Sequence, residues 1–294
     1  MHETTRQLCE LAERRCVLAG NGSNELIQAL LMVTISEGQR VLISEPTFAL
    51  YRQVTTVLCG DVISVPLTSQ LTYDVAAIRA AIESHRPQVI ILCSPNNPTG
   101  CRVKDDDLEA LIKASRGIIA VDEAYFEFAE HSVVPLLDQH PNLVVFRTFS
   151  KAMGLAGLRV GYLLGAPTLV REIGKALLPY NLNAVSQTIA EVALEMYETE
   201  MRPVVRQIIS ERERLFASLS EIEGLDPVPS AASFMVVRCG ERGPKVIFAE
   251  LLRRDILVRD VSHYPLLENC LRISVGTPRE NDLLLAALRD VSDE

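Results

Sequence analysis

Short apolar runs alternate with amphipathic stretches along the first half of the chain. Apolar runs rich in β-branched residues predict buried strands, and apolar positions that recur every three or four residues predict helices. The alternation favours an α/β fold with a mostly parallel sheet, helices on both faces and ligand sites at the carboxyl ends of the strands. The strand-like segments are RRCVLA, RVLISE, VISVPL, VIILCS, GIIAVDE and NLVVFRTFS, and helical patterns such as ELIQALLMVTI and DVAAIRAAIESH lie between them.

The pattern changes after Ala184. A long helical pattern runs from there to Ile222, and Pro203 within it predicts a kink or a break. The later segments SFMVVRC, KVIFAELLRRD, ILVRDV, CLRISVG and ENDLLLAAL predict a compact set of strands and helices. We therefore expect a large domain over residues 1–183, followed by a linking helix and a small C-terminal αβ domain over residues 184–294.

Composition and charge narrow the class of protein. With 48% hydrophobic and 23% charged residues, the chain of 294 residues is able to bury a large core. Its net charge of −9 disfavours a nucleic-acid-binding surface or a polybasic membrane anchor. No apolar run reaches the roughly 18 residues of a membrane span, and the N-terminal residues lack the apolar core of a signal peptide. We expect a cytoplasmic protein with no membrane or nucleic-acid partner.

Cysteine and histidine usage adds two expectations. The seven cysteines are an odd number and form no CxxC pair, which is typical of reduced, buried thiols. The five histidines are scattered, with neither HExxH nor the spacing of zinc ligands, so no metal site is expected.

Two polar segments directly follow apolar strands. SPNNPTG, residues 94–100, is either an ordinary turn or a means of holding the amide of Asn97 against a ligand. In GIIAVDEAYFEF, Asp122 and Glu123 close a buried run. A carboxylate there either caps or hydrogen-bonds the protein itself or faces a cationic group of a bound cofactor.

Two further segments carry candidate chemistry. FRTFSKAMGLAGLRVGYLLG contains Lys151, whose apolar and small neighbours lower an amine's pKa and favour a nucleophile, although most lone lysines are solvated. Arg159, in its glycine-rich turn, suits phosphate binding or a surface position. AGNGSNELIQALL, residues 19–31, predicts a helix opening at Ser23 or Asn24 whose first N–H groups either bind an anion or are simply well capped.

Taken together, these segments resemble the fold-type I pyridoxal-phosphate aminotransferases, and most closely their histidinol-phosphate aminotransferase branch. The resemblance covers the chain from about Gly20 to its end. It implies an α/β transferase fold with a large cofactor-binding domain and a smaller C-terminal domain, pyridoxal 5′-phosphate as cofactor, and a homodimer. Six motifs occur in the family's order: NGSNELI, EPTFALY, SPNNPTG, VDEAYFEF, RTFSKAMGLAGLRVGY and CLRISVG.

The resemblance implies a role for each matching residue that faces the cofactor ring. Lys151 would hold the cofactor as a Schiff base and later carry a proton. Asp122 would pair with the pyridine nitrogen and keep it protonated. Tyr125 and Asn97 would hydrogen-bond the phenolic oxygen of the ring, and Phe48 would stack on the ring face.

The same resemblance implies the phosphate and substrate contacts. The cofactor phosphate would lie against the helix N-terminus and a cradle of side chains. Arg272 would bind the substrate carboxylate, Arg259 would contact the phosphate of histidinol phosphate, and Asn183 would line the same pocket. The residues implied around the cofactor phosphate are Gly22, Ser23, Asn24, Thr148, Ser150 and Arg159.

Other activities fit the same motifs. Histidinol-phosphate:2-oxoglutarate aminotransfer is the favoured reaction. The alternatives are another amino-acid aminotransferase, such as an aromatic one, a phosphothreonine-type decarboxylase, and an inactive short form. The last alternative arises because family members carry an N-terminal arm that reaches the other subunit and supplies a tyrosine, and this sequence is expected to lack it.

Overall fold

The computed structural model describes residues 16–293, and the larger of its two sheets has seven strands. These are β1 (Cys16–Asn21), β2 (Arg40–Glu45), β3 (Asp61–Pro66), β4 (Val89–Cys93), β5 (Ile118–Asp122), β6 (Leu143–Thr148) and β7 (Val160–Gly165). The helices of this part are α1 (Gly22–Thr34), α2 (Leu50–Val57), α3 (Val75–His85), α4 (Asp105–Ala114), α5 (Phe126–Ala129) and α6 (Pro167–Gly174). All six strands predicted for the first half of the chain are present.

The order of the strands in this sheet is β1-β7-β6-β5-β4-β2-β3. Strands β3, β2, β4, β5 and β6 pair in parallel, whereas β7 pairs antiparallel with both β6 and β1. β7 follows β6 after a short glycine-rich segment, which leaves no room for the crossover helix that a parallel neighbour needs. The expected α/β class with a mostly parallel sheet is confirmed.

Both faces of the large sheet are buried. Along β4, Ile90 and Leu92 belong to one apolar cluster, and Val89, Ile91 and Cys93 belong to another. This alternation is the two-residue repeat of a strand, and it places one cluster on each face. Helices α3 and α4 cover the first face, and α1 and α6 cover the second.

The long helical pattern of the second half is one helix, a π-helical turn and another helix. Helix α7 (Ala184–Met196) leads through the π turn at Tyr197–Met201 into α8 (Arg202–Ser220). Pro203 stands in the first turn of α8, where its missing N–H costs no intrahelical hydrogen bond. The predicted break is therefore present, and it lies just before the proline.

The smaller sheet is antiparallel, and its strands lie in the order β10 (Arg259–Asp260), β11 (Cys270–Ser274), β9 (Phe234–Cys239) and β8 (Leu225–Pro227). It packs on α8 and on two later helices through a third apolar cluster. Within ILVRDV, one segment of the predicted set of strands and helices, only Arg259–Asp260 form a strand. The domain boundary proposed after residue 183 stays a prediction; Asn183 is the N-cap of α7. The two later helices are α9 (Gly243–Arg253) and α10 (Pro278–Asp293).

Three further properties concern residues 16–293. Within this range, no helix has the length and apolar character needed to cross a membrane. No group of three or more histidine, cysteine, aspartate or glutamate side chains in it comes together as metal ligands would. Cys59, Cys93, Cys101, Cys239 and Cys270 are free thiols. Cys59 is exposed, contrary to the expectation of buried thiols, because it follows the last turn of α2 at the surface.

The central strand predicts a measurable stability difference. Replacing the fully buried Ile90 by alanine removes a side chain between β4 and the helices on that face, and it should lower the free energy of unfolding by about 2–5 kcal/mol. Val57→Ala, at a position that is 74% exposed, is the matched control and should change it by less than about 0.5 kcal/mol. Urea unfolding followed by circular dichroism measures both, and equal losses would contradict the assigned core.

Candidate active site

A cavity lies at the carboxyl ends of the central strands, where a parallel sheet is expected to hold its ligands. Its walls come from the N-terminus of α1, from the segment before α2, and from the ends of β4, β5 and β6. Many of the residues implied by the family resemblance line it. The lining residues are Ser23, Asn24, Phe48, Cys93, Asn97, Asp122, Ala124, Tyr125, Thr148, Ser150, Lys151, Ala156 and Arg159.

One end of the cavity is suited to an anion. Helix α1 begins at Gly22, one residue earlier than expected, and the side chain of its N-cap residue, Asn21, makes no capping hydrogen bond. A Cβ atom on Gly22, which has a φ of +75°, would lie 2.3 Å from a terminal nitrogen of Arg159. The guanidinium therefore lies directly against the start of the helix. Helix N-H groups and an adjacent cation together favour a phosphate-like group.

A glycine on β7 allows this close approach. A Cβ atom on Gly161 would lie 2.3 Å from the backbone nitrogen of Ser23 and 2.6 Å from the carbonyl carbon of Gly22. Any larger residue would push the helix N-terminus away from the sheet. This glycine thus fixes where the first amides of α1 lie relative to the strands.

Hydroxyl groups complete the same end. The Thr148 hydroxyl donates to Ser150 Oγ at 2.9 Å and accepts from the Ser150 backbone N–H at 3.1 Å. Arg159 Nη1 donates to Ser150 Oγ at 3.4 Å and to the Ala156 carbonyl at 3.1 Å. These bonds hold two hydroxyls and a guanidinium in one small polar cluster.

A buried carboxylate stands at the end of β5. Asp122 is 3% exposed, and its carboxylate accepts hydrogen bonds from the Tyr51 hydroxyl at 2.6 Å and from the Ala124 N–H at 3.1 Å. Burial raises the pKa of Asp122 above its ordinary value, whereas the Tyr51 and Ala124 hydrogen bonds and the charge of Lys151 act to lower it. The carboxylate is therefore a fixed acceptor facing a cationic partner.

Lys151 lies among like charges. Desolvation lowers the pKa of its amine below the ordinary value, and the positive charges of Arg272 and Arg159 lower it further, while Asp122 acts to raise it. Its Nζ atom lies 5.2 Å from the centroid of the Tyr125 ring. A lysine in this setting has a larger neutral fraction than a solvated one and serves as a nucleophile or a base.

The small sheet contributes one arginine beside the cavity. Arg272 on β11 donates from Nη1 to the Asn97 side-chain oxygen at 2.6 Å, and its guanidinium lies 4.7 Å from the Phe234 ring. Its Nε atom is buried without a hydrogen-bond partner. Since buried donors are normally paired, this nitrogen is a place where an acceptor on a ligand would be stabilised.

Three implied substrate residues, Arg272, Arg259 and Asn183, are not among the residues that line the cavity, and neither is Gly22. Arg259 on β10 pairs across the strands with Arg272 and is exposed. The Asn183 side chain caps helix α7 instead of lining the pocket: its Oδ1 accepts from the Ser186 N–H at 2.8 Å, and its amide donates to Ser186 Oγ. An asparagine before a helix commonly satisfies the free N–H groups of the first turn, which accounts for this position.

Sequence reasoning missed two important side chains. Tyr51 is fully buried in the second apolar cluster, and its hydroxyl reaches Asp122 because α2 packs on that face of the sheet. The sequence feature that could have identified Tyr51 is its position in EPTFALY, three residues after the candidate Phe48. Arg147, within strand β6, forms a buried ion pair with Glu123 at 2.9 Å. Glu123 therefore takes the structural role that was left open for it.

Sequence comparison finds close relatives of the chain. The model of the family described as aminotransferase class I and II matches residues 2–288. The chain is 39% identical over 274 residues to a histidinol-phosphate aminotransferase of Chlorobaculum parvum, covering 93% of this chain and 76% of the relative.

Two solved structures share the fold. The histidinol-phosphate aminotransferase of Clostridium acetobutylicum aligns with a TM-score of 0.89 and 22% identity, covering 99% of this chain and 90% of that one. The histidinol-phosphate aminotransferase of Sinorhizobium meliloti in complex with pyridoxal-5′-phosphate aligns with a TM-score of 0.84 and 28% identity, covering 94% and 77%.

The charges around Lys151 predict how its reactivity depends on pH. The rate of trinitrophenylation of Lys151, followed by peptide mass spectrometry, should rise with a midpoint below the pKa of an ordinary lysine. Arg272→Met removes a like charge and should move this midpoint up, whereas Asp122→Asn removes an opposite charge and should move it down.

Arg79→Met, at an exposed position on α3, is the control and should leave the midpoint in place. Identical midpoints in all four proteins would show that the charges of the cavity do not act on this amine.

Proposed function

The chain belongs to the class I and II aminotransferase family, and from this premise we propose that it is a pyridoxal-phosphate-dependent histidinol-phosphate aminotransferase. In this reaction an amino group passes between histidinol phosphate and 2-oxoglutarate. The observation that carries the proposal is a cavity whose lining combines a lysine amine, a buried carboxylate and the N-terminus of a helix. The 39% identity to a histidinol-phosphate aminotransferase supports the choice of substrate.

The residues of the cavity fit pyridoxal phosphate at both ends. The start of α1, with Thr148, Ser150 and Arg159, would hold the phosphate. Asp122 would accept a hydrogen bond from the protonated ring nitrogen, and the aromatic face of Phe48 would lie against the ring. A ligand that is anionic at one end and cationic at the other matches this distribution of charge.

When bound, pyridoxal phosphate supplies an electron sink that stabilises negative charge on the α-carbon of the substrate. Lys151 provides the amine that would bond the aldehyde of the cofactor, and its lowered pKa leaves an amine free to take a proton from that carbon and return it. The hydrogen bonds from Tyr51 and Ala124 keep the Asp122 carboxylate in one orientation. Asn97 and Tyr125 would hydrogen-bond the ring oxygen.

Two arginines of the small sheet, Arg272 and Arg259, would determine which substrates the cavity accepts. Arg272 would bind a carboxylate of glutamate or 2-oxoglutarate, which would give its buried Nε an acceptor. Arg259 lies directly opposite Arg272 across the β10–β11 pair. Like charges in that position repel each other unless anionic groups neutralise them. We assign Arg259 to the substrate phosphate for that reason.

A homodimer is part of the proposal. Val185, Ile189, Val192 and Met196 recur along one face of α7 and are 37–66% exposed. Tyr180, just before the helix, is 99% exposed. An exposed apolar stripe of this length is typical of an interface between protein surfaces, and a second copy of the chain is the partner that the family resemblance implies.

The free thiols fit a reducing cytoplasm.

Removal of the lysine tests the proposed chemistry. The wild-type protein with added pyridoxal phosphate should show a visible absorbance band that glutamate removes. It should also convert histidinol phosphate and 2-oxoglutarate into imidazole-acetol phosphate and glutamate. Lys151→Ala should lose amino transfer by at least about a thousandfold, because among the described residues that line the cavity only Lys151 carries an amine that can act as nucleophile and base. Amino transfer by this variant at the wild-type rate would refute the assignment.

Substitution of the second arginine tests the substrate. Arg259→Gln should raise the KM for histidinol phosphate about tenfold while leaving the KM for glutamate within about twofold, because only the former carries a phosphate. Equal changes for both substrates would remove Arg259 from the phosphate site.

Competing substrates in the same assay decide between related activities. Faster turnover of phenylalanine than of histidinol phosphate would indicate an aromatic aminotransferase. Release of carbon dioxide from O-phosphothreonine without a 2-oxoacid would indicate a decarboxylase.

A further inference from the structure

The segment Ser230–Phe234 leads into strand β9 and lies between the part of the structure that contains the large sheet and the part that contains the small sheet. On one side the Ala231 N–H donates to the Gly100 carbonyl at 2.9 Å, at the end of the turn that contains Asn97. A Cβ atom on Gly100 would lie 2.0 Å from Ser230 Oγ, so the turn and the segment are in close contact. We call residues 230–234 the joint segment.

The joint segment ends on an aromatic ring that contacts two site residues. The Phe234 ring lies edge-on to the Tyr125 ring, with 5.1 Å between the centroids. Its other neighbour is the Arg272 guanidinium, at 4.7 Å. The position of this phenylalanine therefore helps to set the position of the arginine that would bind the substrate carboxylate.

A buried arginine on α8 links the joint segment by hydrogen bonds to the part of the chain that contains the large sheet. Arg212 is 9% exposed, and its Nη1 donates to the carbonyl of Ala232 at 3.1 Å and to that of Phe128, at the end of α5, at 3.0 Å. Its Nε donates to Glu213, a mostly exposed carboxylate. One nitrogen thus bridges the joint segment and the segment that carries Tyr125.

Hydrogen bonds within the joint segment connect Ala232, which Arg212 holds, to Phe234. Ser230 Oγ donates to the Phe234 carbonyl at 2.5 Å and accepts from the Ala232 N–H at 3.0 Å. The Ser233 carbonyl accepts from the Val275 N–H, just past the strand that carries Arg272. Displacement of Ala232 would therefore move both Phe234 and the end of β11.

We propose that Arg212 is a positioning residue for substrate binding: by bridging the carbonyls of Phe128 and Ala232, it fixes the spacing between the Tyr125 segment and the Phe234–Arg272 pair. Arg212 is not among the residues that line the cavity, and it acts through the joint segment. The inference rests on the proposed function, in which Arg272 binds the substrate carboxylate. Removing the bridge should loosen carboxylate binding and leave the cofactor end, formed by α1 and Arg159, unchanged.

The test compares variants of the holoenzyme. Arg212→Met, which keeps a long side chain without donors, should raise the KM for glutamate about tenfold with kcat within about threefold. It should also weaken binding of succinate, a dicarboxylate that cannot react, by a similar factor in isothermal calorimetry. The dissociation constant of pyridoxal phosphate should change by less than about twofold.

Three further variants make the test specific. Arg212→Lys retains a donor near the two carbonyls and should recover at least half of the lost affinity on a logarithmic scale. Arg206→Met, at an exposed position on the same helix, is the control and should match the wild type. Ser230→Ala removes the hydrogen bonds inside the joint segment and should weaken succinate binding about threefold, and it carries the test if Arg212→Met does not fold.

The outcomes separate this inference from the proposed function. Unchanged succinate binding in Arg212→Met, or in Ser230→Ala if the former does not fold, overturns the inference alone. A loss of cofactor affinity that accompanies the loss of succinate affinity also overturns it, because the defect would then be general. A wild-type protein that binds pyridoxal phosphate but neither succinate nor glutamate would contradict the proposed function, and the inference with it.

Discussion

Burial of the Asp122 carboxylate is the constraint on which the site depends. A carboxylate withdrawn from water at the end of an interior strand is costly unless hydrogen bonds and a nearby cation compensate it. Tyr51 and the Ala124 N–H supply the hydrogen bonds, and Lys151 supplies positive charge. Since Tyr51 is a fully buried residue of α2, the orientation of the carboxylate depends on the packing of that helix on the sheet. A cationic group of a ligand would complete the compensation.

The opposite end of the cavity has a positive potential instead of a buried negative charge. The start of α1 and the guanidinium of Arg159 meet at Gly22, and Gly161 lets the helix approach the sheet closely enough for this to occur. Both ends are built on adjacent elements of one sheet whose two faces are covered by apolar clusters. The separation between the anion-binding end and the carboxylate is therefore set by a rigid scaffold, which is what catalytic positioning requires.

The substrate side is assembled differently, because Arg272 belongs to the smaller sheet. Its contacts with Asn97 and Phe234 bring a cation from one sheet to the edge of a cavity formed by the other. This arrangement also lowers the pKa of Lys151 through like charge, so the same arginine affects both carboxylate binding and the state of the amine. Contacts between the two halves, such as the bridge at Arg212, consequently bear on function although they lie outside the cavity.

The sequence by itself determined the α/β class, the six strands predicted for the first half and the helix break near Pro203, because these follow from local periodicity. It also supplied the candidate residues of the cofactor site, because these lie in contiguous motifs. It missed the reversed direction of β7, the partnership of Tyr51 with Asp122, the ion pair of Arg147 with Glu123, and the capping role of Asn183. Tertiary structure decided these because each depends on which distant segments pack together. A motif specifies which side chain is available, whereas burial and neighbours decide what that side chain contacts and which charge it carries.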